Sequence, residues 1–401
     1  MHPTLMNKGT KGDALSGKTI LLGVTGSIAA VKTIELARSL IRRGAEVYAV
    51  MTDAAQTLVH PYALQYATGH DVICKITGAI EHVEFLGVGG LADLFLIAPS
   101  TANTIGKIAN GIDDSTVTTF AGTSLGSKIP IMIVPAMHES MYDHPIILQN
   151  IERLKEVGIT FIGPRIEDGI AKIANIDDII LNVERVLSQG LLKDKKILVT
   201  SGATSEPIDP IRIITNRSSG KTGIELAKEA YKQGADVTLV HSAHLGREGI
   251  KELYVESTSD MVDVVQSELR GGFDAMISAA AISDFTLETI EKDKIKSGKP
   301  VTLDLVPTKK LLVEVKKSFP DVKLVGFKAE VGVSKSVLVR RAKSLMRSND
   351  LDFIVANDVG KGGMGTEDND VLIISGDGVK EVKGPKNMIA KEIIISLSEK
   401  I

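Results

Sequence analysis

The run TNRSSGKTG at 215–223 places small residues and a lysine where an amphipathic stretch, IELAKEA, begins. Ser218, Ser219 and Gly220 leave backbone N–H groups uncovered and Lys221 adds charge, which suits a polyphosphate held at a helix N-terminus. Thr215 stands where GxxxxGK[ST] needs its first glycine, so a P-loop ATPase is excluded. Ahead of this run, Pro207 and Pro210 bracket acidic residues in a long insertion that can wrap a second substrate over the same helix end. Downstream, ISAAAISDF ends an apolar run in small residues and then Asp284. Small residues let a nucleobase approach the backbone, and the carboxylate offers a hold for a metal or the nucleotide. The charged run ETIEKDKIKSGKP follows, with Lys294 and Lys296 expected on a mobile loop that closes over phosphates. No serine or cysteine nucleophile is evident in this half.

A second constellation lies in the first half. In GVTGSIAAVK, Gly26, Ser27 and the amides after them open a helix and can hold a phosphate. The spacing is not GxGxxG, so one phosphate monoester fits better than a dinucleotide pyrophosphate. In IAPSTANT, Pro99 stops a strand and Ser100, Thr101 and Asn103 cluster at its C-terminal end, which faces the ligand crevice of open sheets. One polar residue is enough for a helix cap; a cluster invites a ligand. His138 follows another strand in VPAMHESMYDHP, amid Met137, Met141 and Tyr142, and His82 sits in AIEHVEFLG. A lone histidine is ordinarily structural or solvated, so neither ring identifies a site by itself.

The elements that must position these residues repeat. Residues 19–50 set out a strand, a glycine turn, an amphipathic helix and a second strand, and 196–240 repeat the plan with an insertion. IELARSLIRRGAEVYAV aligns with IELAKEAYKQGADVTLV. Two Rossmann-like units of α/β class follow. ADLFLIAP, IPIMIVP and GITFIG read as buried parallel strands, with helices near 101–109, 145–157 and 177–188. The second half continues with strands near 274–278, 323–327 and 352–355, a hairpin in VLIISGDGVKEV and a helix near 386–399. The predicted division is a polar tail over 1–16, one domain over 17–189 and another over 190–401.

Composition bounds the function. The net charge of −3 gives no global basic field for nucleic acid or anionic lipid, and 4% aromatics argue against a base-stacking platform. The single cysteine, Cys74, excludes an intrachain disulfide and a multi-cysteine metal site. No apolar run reaches membrane-spanning length and residues 1–17 are unlike a signal peptide, so a soluble cytoplasmic setting is expected. An NAD-dependent dehydrogenase is disfavoured, since the second half holds neither GxGxxG nor a YxxxK pair.

The first half, over about 17–187, resembles the flavin-containing cysteine decarboxylases, specifically phosphopantothenoylcysteine decarboxylase. The resemblance rests on TGSIAA, EHVEF, PSTANT and PAMHESM. It implies a flavodoxin-like domain in which FMN is held by Gly26, Ser27, Thr52, Ser100, Thr101 and Asn103, with His82 as the active-site histidine. Two departures stand out. His138 takes the place of the asparagine that holds the substrate carboxylate; it can still donate a hydrogen bond, with a different pH dependence. The family's clamp cysteine is missing from IEDGIAKIAN at 166–175. Lys172, His138 or a water is left as the proton donor that completes reduction of the enethiol.

The second half, over about 193–400, resembles the CTP-dependent microbial phosphopantothenate–cysteine ligase. TNRSSGKTG, AAISDF, KIKSG, GFKAE and VANDV occur in that family's order. The resemblance implies activation of 4'-phosphopantothenate as an acyl cytidylate, then attack by L-cysteine. Asn216 matches the residue for turnover of the acyl intermediate. Ser218, Ser219, Gly220, Lys221, Asp284, Lys294, Lys296, Phe327 and Lys328 are the implied substrate and nucleotide contacts. Asn357 and Asp358 are secondary candidates. Mg2+ is expected, with Asp284 as its ligand. A homo-oligomer is implied too, built from trimer contacts of the decarboxylase and ligase dimers, which a dodecamer would satisfy. The competing reading is a flavin-binding regulatory protein of decarboxylase descent whose first half is inactive.

Overall fold

Apolar runs alternating with helical stretches must form parallel strands covered on both faces. The computed structural model describes every residue except Met1, Asp168, Gly169, His244, Leu245, Arg247, Glu248 and Met364. The chain divides into two compact units, 1–188 and 189–401.

In the first unit, β1 (Thr19–Val24), β2 (Glu46–Met51), β3 (Val72–Ile73), β4 (Leu94–Ser100), β5 (Ile131–Pro135) and β6 (Thr160–Phe161) form one parallel sheet. Its order is β3-β2-β1-β4-β5-β6, so the topological switch point lies between β1 and β4. The helices are α1 (Thr33–Ile41), α2 (Asp53–Gln56), α3 (Pro61–Thr68), α4 (Glu81–Leu86), α5 (Ala102–Ala109), α6 (Thr116–Ser127), α7 (Glu139–Tyr142), α8 (Pro145–Glu156) and α9 (Ile176–Leu187). Side chains alternate across the sheet. Ile20, Leu22, Leu94 and Leu96 meet α1, α3 and α9 on one face. Leu21, Phe95 and Ile97 meet α4, α5, α6 and α8 on the other. β7 (Arg165–Glu167) and β8 (Ile170–Lys172) pair antiparallel in the segment expected as a clamp, of which Asp168 and Gly169 lie outside the described residues.

Two expectations change here. The stretch before residue 17 is packed and not a loose tail. Thr4 Oγ1 donates to the Tyr66 carbonyl (2.7 Å), the Gly9 and Lys11 amides donate to Ile41 and Arg42 (3.1 and 2.8 Å), and Leu15 is fully buried. The turn after β1 opens into a 3-10 helix, Ile28–Lys32, before α1 begins.

The second unit contains β9 (Lys196–Ser201), β10 (Ser205–Pro207), β11 (Ile213–Thr215), β12 (Asp236–His241), β13 (Lys251–Tyr254), β14 (Ala275–Ser278), β15 (Phe285–Leu287) and β16 (Leu305–Pro307). It continues with β17 (Lys323–Glu330), β18 (Phe353–Asp358), β19 (Asp368–Ser375) and β20 (Val379–Pro385). The main sheet runs β13-β12-β9-β14-β17-β18-β19-β20, parallel as far as β18 and antiparallel beyond it. Its order reverses beside β9 and β14. The helices are α10 (Lys221–Lys232), α11 (Thr258–Leu269), α12 (Leu311–Ser318), α13 (Lys335–Ser348) and α14 (Lys386–Ser398). The insertion before α10 folds as the β10–β11 hairpin, and β15–β16 forms another. Among the described residues no helix is long and apolar enough to cross a membrane.

Candidate functional site

In the first unit the switch point assembles a site from strand ends. Thr25 links β1 to β4: its hydroxyl donates to the Pro99 carbonyl (2.9 Å) and accepts from the Thr101 amide (3.1 Å). Thr101 caps α5 by accepting the Thr104 N–H, and Thr52 caps α2 by accepting the Ala55 N–H. Helix N-termini therefore gather beside β1, β2 and β4, and their amides favour an anion. Gly26 is required by close approach, because a Cβ there would stand 2.6 Å from the Ala54 Cβ.

The resulting cavity, of about 860 Å³, is lined by Gly26, Thr52, Thr101 and Asn103. Cys74, Lys75, Ser115 and Thr116 line it as well and were not foreseen from the sequence. Burial, then the Asp53 carboxylate, pushes the Cys74 thiol above its ordinary range. Four expected residues are not on the cavity wall. Ser27 is occupied in capping the 3-10 turn, accepting from the Ala29 amide at 3.4 Å. His138 is exposed and caps α7, its Nδ1 accepting the Ser140 N–H (3.4 Å). Ser100 Oγ and His82 Nδ1 are buried without a hydrogen-bond partner, and the His82 ring meets the Phe120 ring edge-on at 6.2 Å. A buried polar atom without a partner is costly to the fold.

In the second unit a cavity of about 960 Å³ lies at the N-terminus of α10. Asn216, Ser218, Ser219, Gly220 and Lys221 line one wall, and residues 278–284 another. Thr308, Lys309 and Lys310 precede α12, and Phe327, Lys328 and Asn357 come from the ends of β17 and β18. Gly220 has φ +70°, a turn that leaves the α10 amides open because no side chain caps them. Asn216 Nδ2 donates to the carbonyls of Ala281 and Ile282 (3.1 and 3.2 Å), tying two cavity walls together. Lys328 pairs with Glu330 at 3.3 Å. Asp358 caps a 3-10 turn through Gly360 and also accepts from Gly332 (3.1 and 2.8 Å).

The charge balance differs from the sequence expectation in four respects. Lys386, at the start of α14, lines the cavity while almost fully buried, and its ammonium donates to the Thr366 carbonyl (2.6 Å). Burial, then the neighbouring Lys221 charge, lowers its pKa, with Glu367 opposing. Lys221 itself pairs with Glu367. Asp284 pairs with Lys310, and among the described residues no group of three or more His, Cys, Asp or Glu could hold a metal ion. Asp284 alone therefore makes no metal site. Lys294 and Lys296 are exposed and absent from the cavity wall, and their loop is tied down where a free flap was expected.

Comparison with known proteins places both units. The DNA/pantothenate metabolism flavoprotein C-terminal domain family matches residues 192–400, and the flavoprotein family matches 8–188. The coenzyme A biosynthesis bifunctional protein CoaBC of Thermococcus kodakarensis is 47% identical over 385 residues, 95% of each chain. The chain belongs to the CoaBC family. CoaBC of Methanocaldococcus jannaschii is 40% identical over 98% of this chain and 96% of its own, and that of Bacillus subtilis 35% over 91% and 92%. The two cavities of this CoaBC chain fall one in each matched segment: that of about 860 Å³ in the flavoprotein segment and that of about 960 Å³ in the DNA/pantothenate metabolism flavoprotein C-terminal segment.

Proposed function

We infer that this chain joins L-cysteine to 4'-phosphopantothenate with CTP in its C-terminal unit and decarboxylates the product with FMN in its N-terminal unit. The cavity at the uncapped start of α10, flanked by Lys221 and the buried Lys386, carries the ligase reading. The phosphopantothenate carboxylate attacks the α-phosphorus of CTP, forming an acyl cytidylate and releasing pyrophosphate. The cysteine amine then attacks the acyl carbon, loses a proton and releases CMP. Neither step needs a protein nucleophile; both need developing charge to be met by fixed donors. The α10 amides, Lys221 and Lys386 meet phosphate charge, and Lys310 and Lys328 extend the positive wall. Asn216 holds the 281–282 turn with its amide nitrogen and keeps its oxygen for the acyl intermediate. Mg2+ would be held chiefly by the triphosphate itself, with Asp284, which pairs with Lys310, as its expected protein contact, and would supply charge neutralisation on the phosphates.

In the N-terminal unit, FMN fits the strand-end cavity. The α2 and α5 amides would hold its phosphate, with Thr52, Thr101 and Asn103 on the cavity wall, and Gly26 would permit its approach. Bound FMN supplies oxidation of the cysteinyl thiol end, which makes the carboxylate leave as carbon dioxide, and the reducing equivalents for the enethiol that results. His138, exposed beside α7, is assigned to the substrate carboxylate. A cytoplasmic homo-oligomer with trimer and dimer contacts completes the reading, supported by apolar side chains left in water on the first unit, such as Val88 and Ile28 (95% and 75% exposed). The test is pyrophosphate release from CTP that requires 4'-phosphopantothenate, in a preparation that carries a yellow chromophore. A colourless protein that releases no pyrophosphate would refute it.

A further inference from the structure

The segment carrying Lys294 and Lys296 joins β15 to β16, and both strands are rooted at the cavity. Asp284 precedes β15, Thr308 follows β16, and the Thr308 amide donates to the Asp284 carbonyl at 3.0 Å. Residues 291–300 are exposed except for half-buried Ile295, so no core of their own can hold them. They are held by hydrogen bonds to the turn at 208–212. The Glu291 amide donates to the Ile208 carbonyl (3.1 Å) and the Ile295 amide to Asp209 Oδ2 (3.1 Å). Arg212 Nη1 donates to the Ile295 carbonyl (3.1 Å). Both peptide groups of the residue between the two lysines are thus fixed.

Asp209 does more than shape its own turn. Its side chain is fully buried; Oδ1 accepts the Ile211 and Arg212 amides at 2.8 Å each, and Oδ2 pairs with the Arg212 guanidinium. A turn alone would need only the Oδ1 bonds. The bonds to Ile295 reach 83 and 86 residues along the chain and serve the loop.

We propose that Asp209 and Arg212 are positioning residues of the ligase: they clamp Ile295 and so present Lys294 and Lys296 as a fixed pair. The proposal rests on the ligase reading above, joined to the sequence expectation that the loop of Lys294 and Lys296 closes over phosphates. A lysine that must first be ordered at each turnover contributes less than one already held.

The test uses the full chain and the variants Asp209→Ala, Asp209→Asn, Lys294→Ala and Lys296→Ala. Asparagine keeps an oxygen for the Ile211 and Arg212 amides but offers an NH2 group to Ile295, so it releases the loop without dismantling the turn. Tryptic cleavage after Lys294 and Lys296 is expected to quicken about tenfold in both Asp209 variants. The kcat for pyrophosphate release should fall about tenfold to a hundredfold, with KM for CTP changed less than about threefold and carbon dioxide release from added ligase product unaltered. In the Asp209→Asn background, Lys294→Ala should cost little more, because the lysine has already lost its placement. Unchanged cleavage, or penalties that multiply in the double variant, would overturn the clamp. Lysine variants that ligate at the native rate while Asp209→Asn loosens the loop would defeat the lysine assignment, and with it any positioning role.

Discussion

Lys386, the first residue of α14, combines near-complete burial with a lowered pKa, and the neighbouring Lys221 is already paired. A buried ammonium that faces another cation gains most when a polyanion arrives, since the ligand relieves both the repulsion and the missing solvation. Lys386→Met is therefore expected to raise KM for CTP about tenfold or more, measured by initial pyrophosphate release across CTP concentrations. Asn216→Ala removes both bonds to the 281–282 turn and should lower overall ligation about a hundredfold. Asp209 sets an acid signature. Burial pushes its carboxyl up, but the Ile211, Ile295 and Arg212 amides and the Arg212 guanidinium outweigh that and hold it at about 2, below its ordinary 3.8. Because the folded value is depressed, its stabilisation is complete above the ordinary value and is lost as pH falls through about 2. Asp209→Asn should flatten that part of the acid limb when urea stability is followed against pH.

At the scale of elements, the strand ends organise each unit, and much of this is visible in the residue pattern. The runs around Leu94–Ser100 and Ile131–Pro135 are apolar on both faces, as strands covered on both sides must be, and they lie in the parallel sheet. The hairpin in VLIISGDGVKEV and the last helix occur where turn residues and helical period placed them. What escaped was set by contacts distant in sequence. Lys386 reads as an ordinary first-turn lysine until α14 is packed beside α10. The clamp joins Asp209 to Ile295 across a gap that no local pattern records. Ser27 accepts the Ala29 N–H where a 3-10 turn opens, which leaves its own hydroxyl proton for a phosphate. Thr101 shows how a cap and a site residue coincide. Thr101→Ala should cost about 1 kcal/mol of stability through loss of the α5 cap, and weaken flavin retention, read from visible absorbance after gel filtration.

At the scale of the whole molecule, each unit has its own sheet and its own buried clusters, and each has its own cavity. CTP at about a hundred times its Kd should stabilise the C-terminal unit by about 2.7 kcal/mol. Calorimetry should show that shift in one transition while flavin removal lowers the other; a single transition shifted equally by both would contradict independent units. The decisive measurement is the mass of the product formed when the full chain receives CTP, Mg2+, L-cysteine and 4'-phosphopantothenate. The CoaBC assignment predicts 4'-phosphopantetheine, with pyrophosphate, CMP and carbon dioxide released in step. Accumulation of the uncleaved cysteine conjugate, or of a product that has lost carbon dioxide and two hydrogens, would contradict a complete decarboxylase. Recovery of unchanged 4'-phosphopantothenate would contradict the ligase.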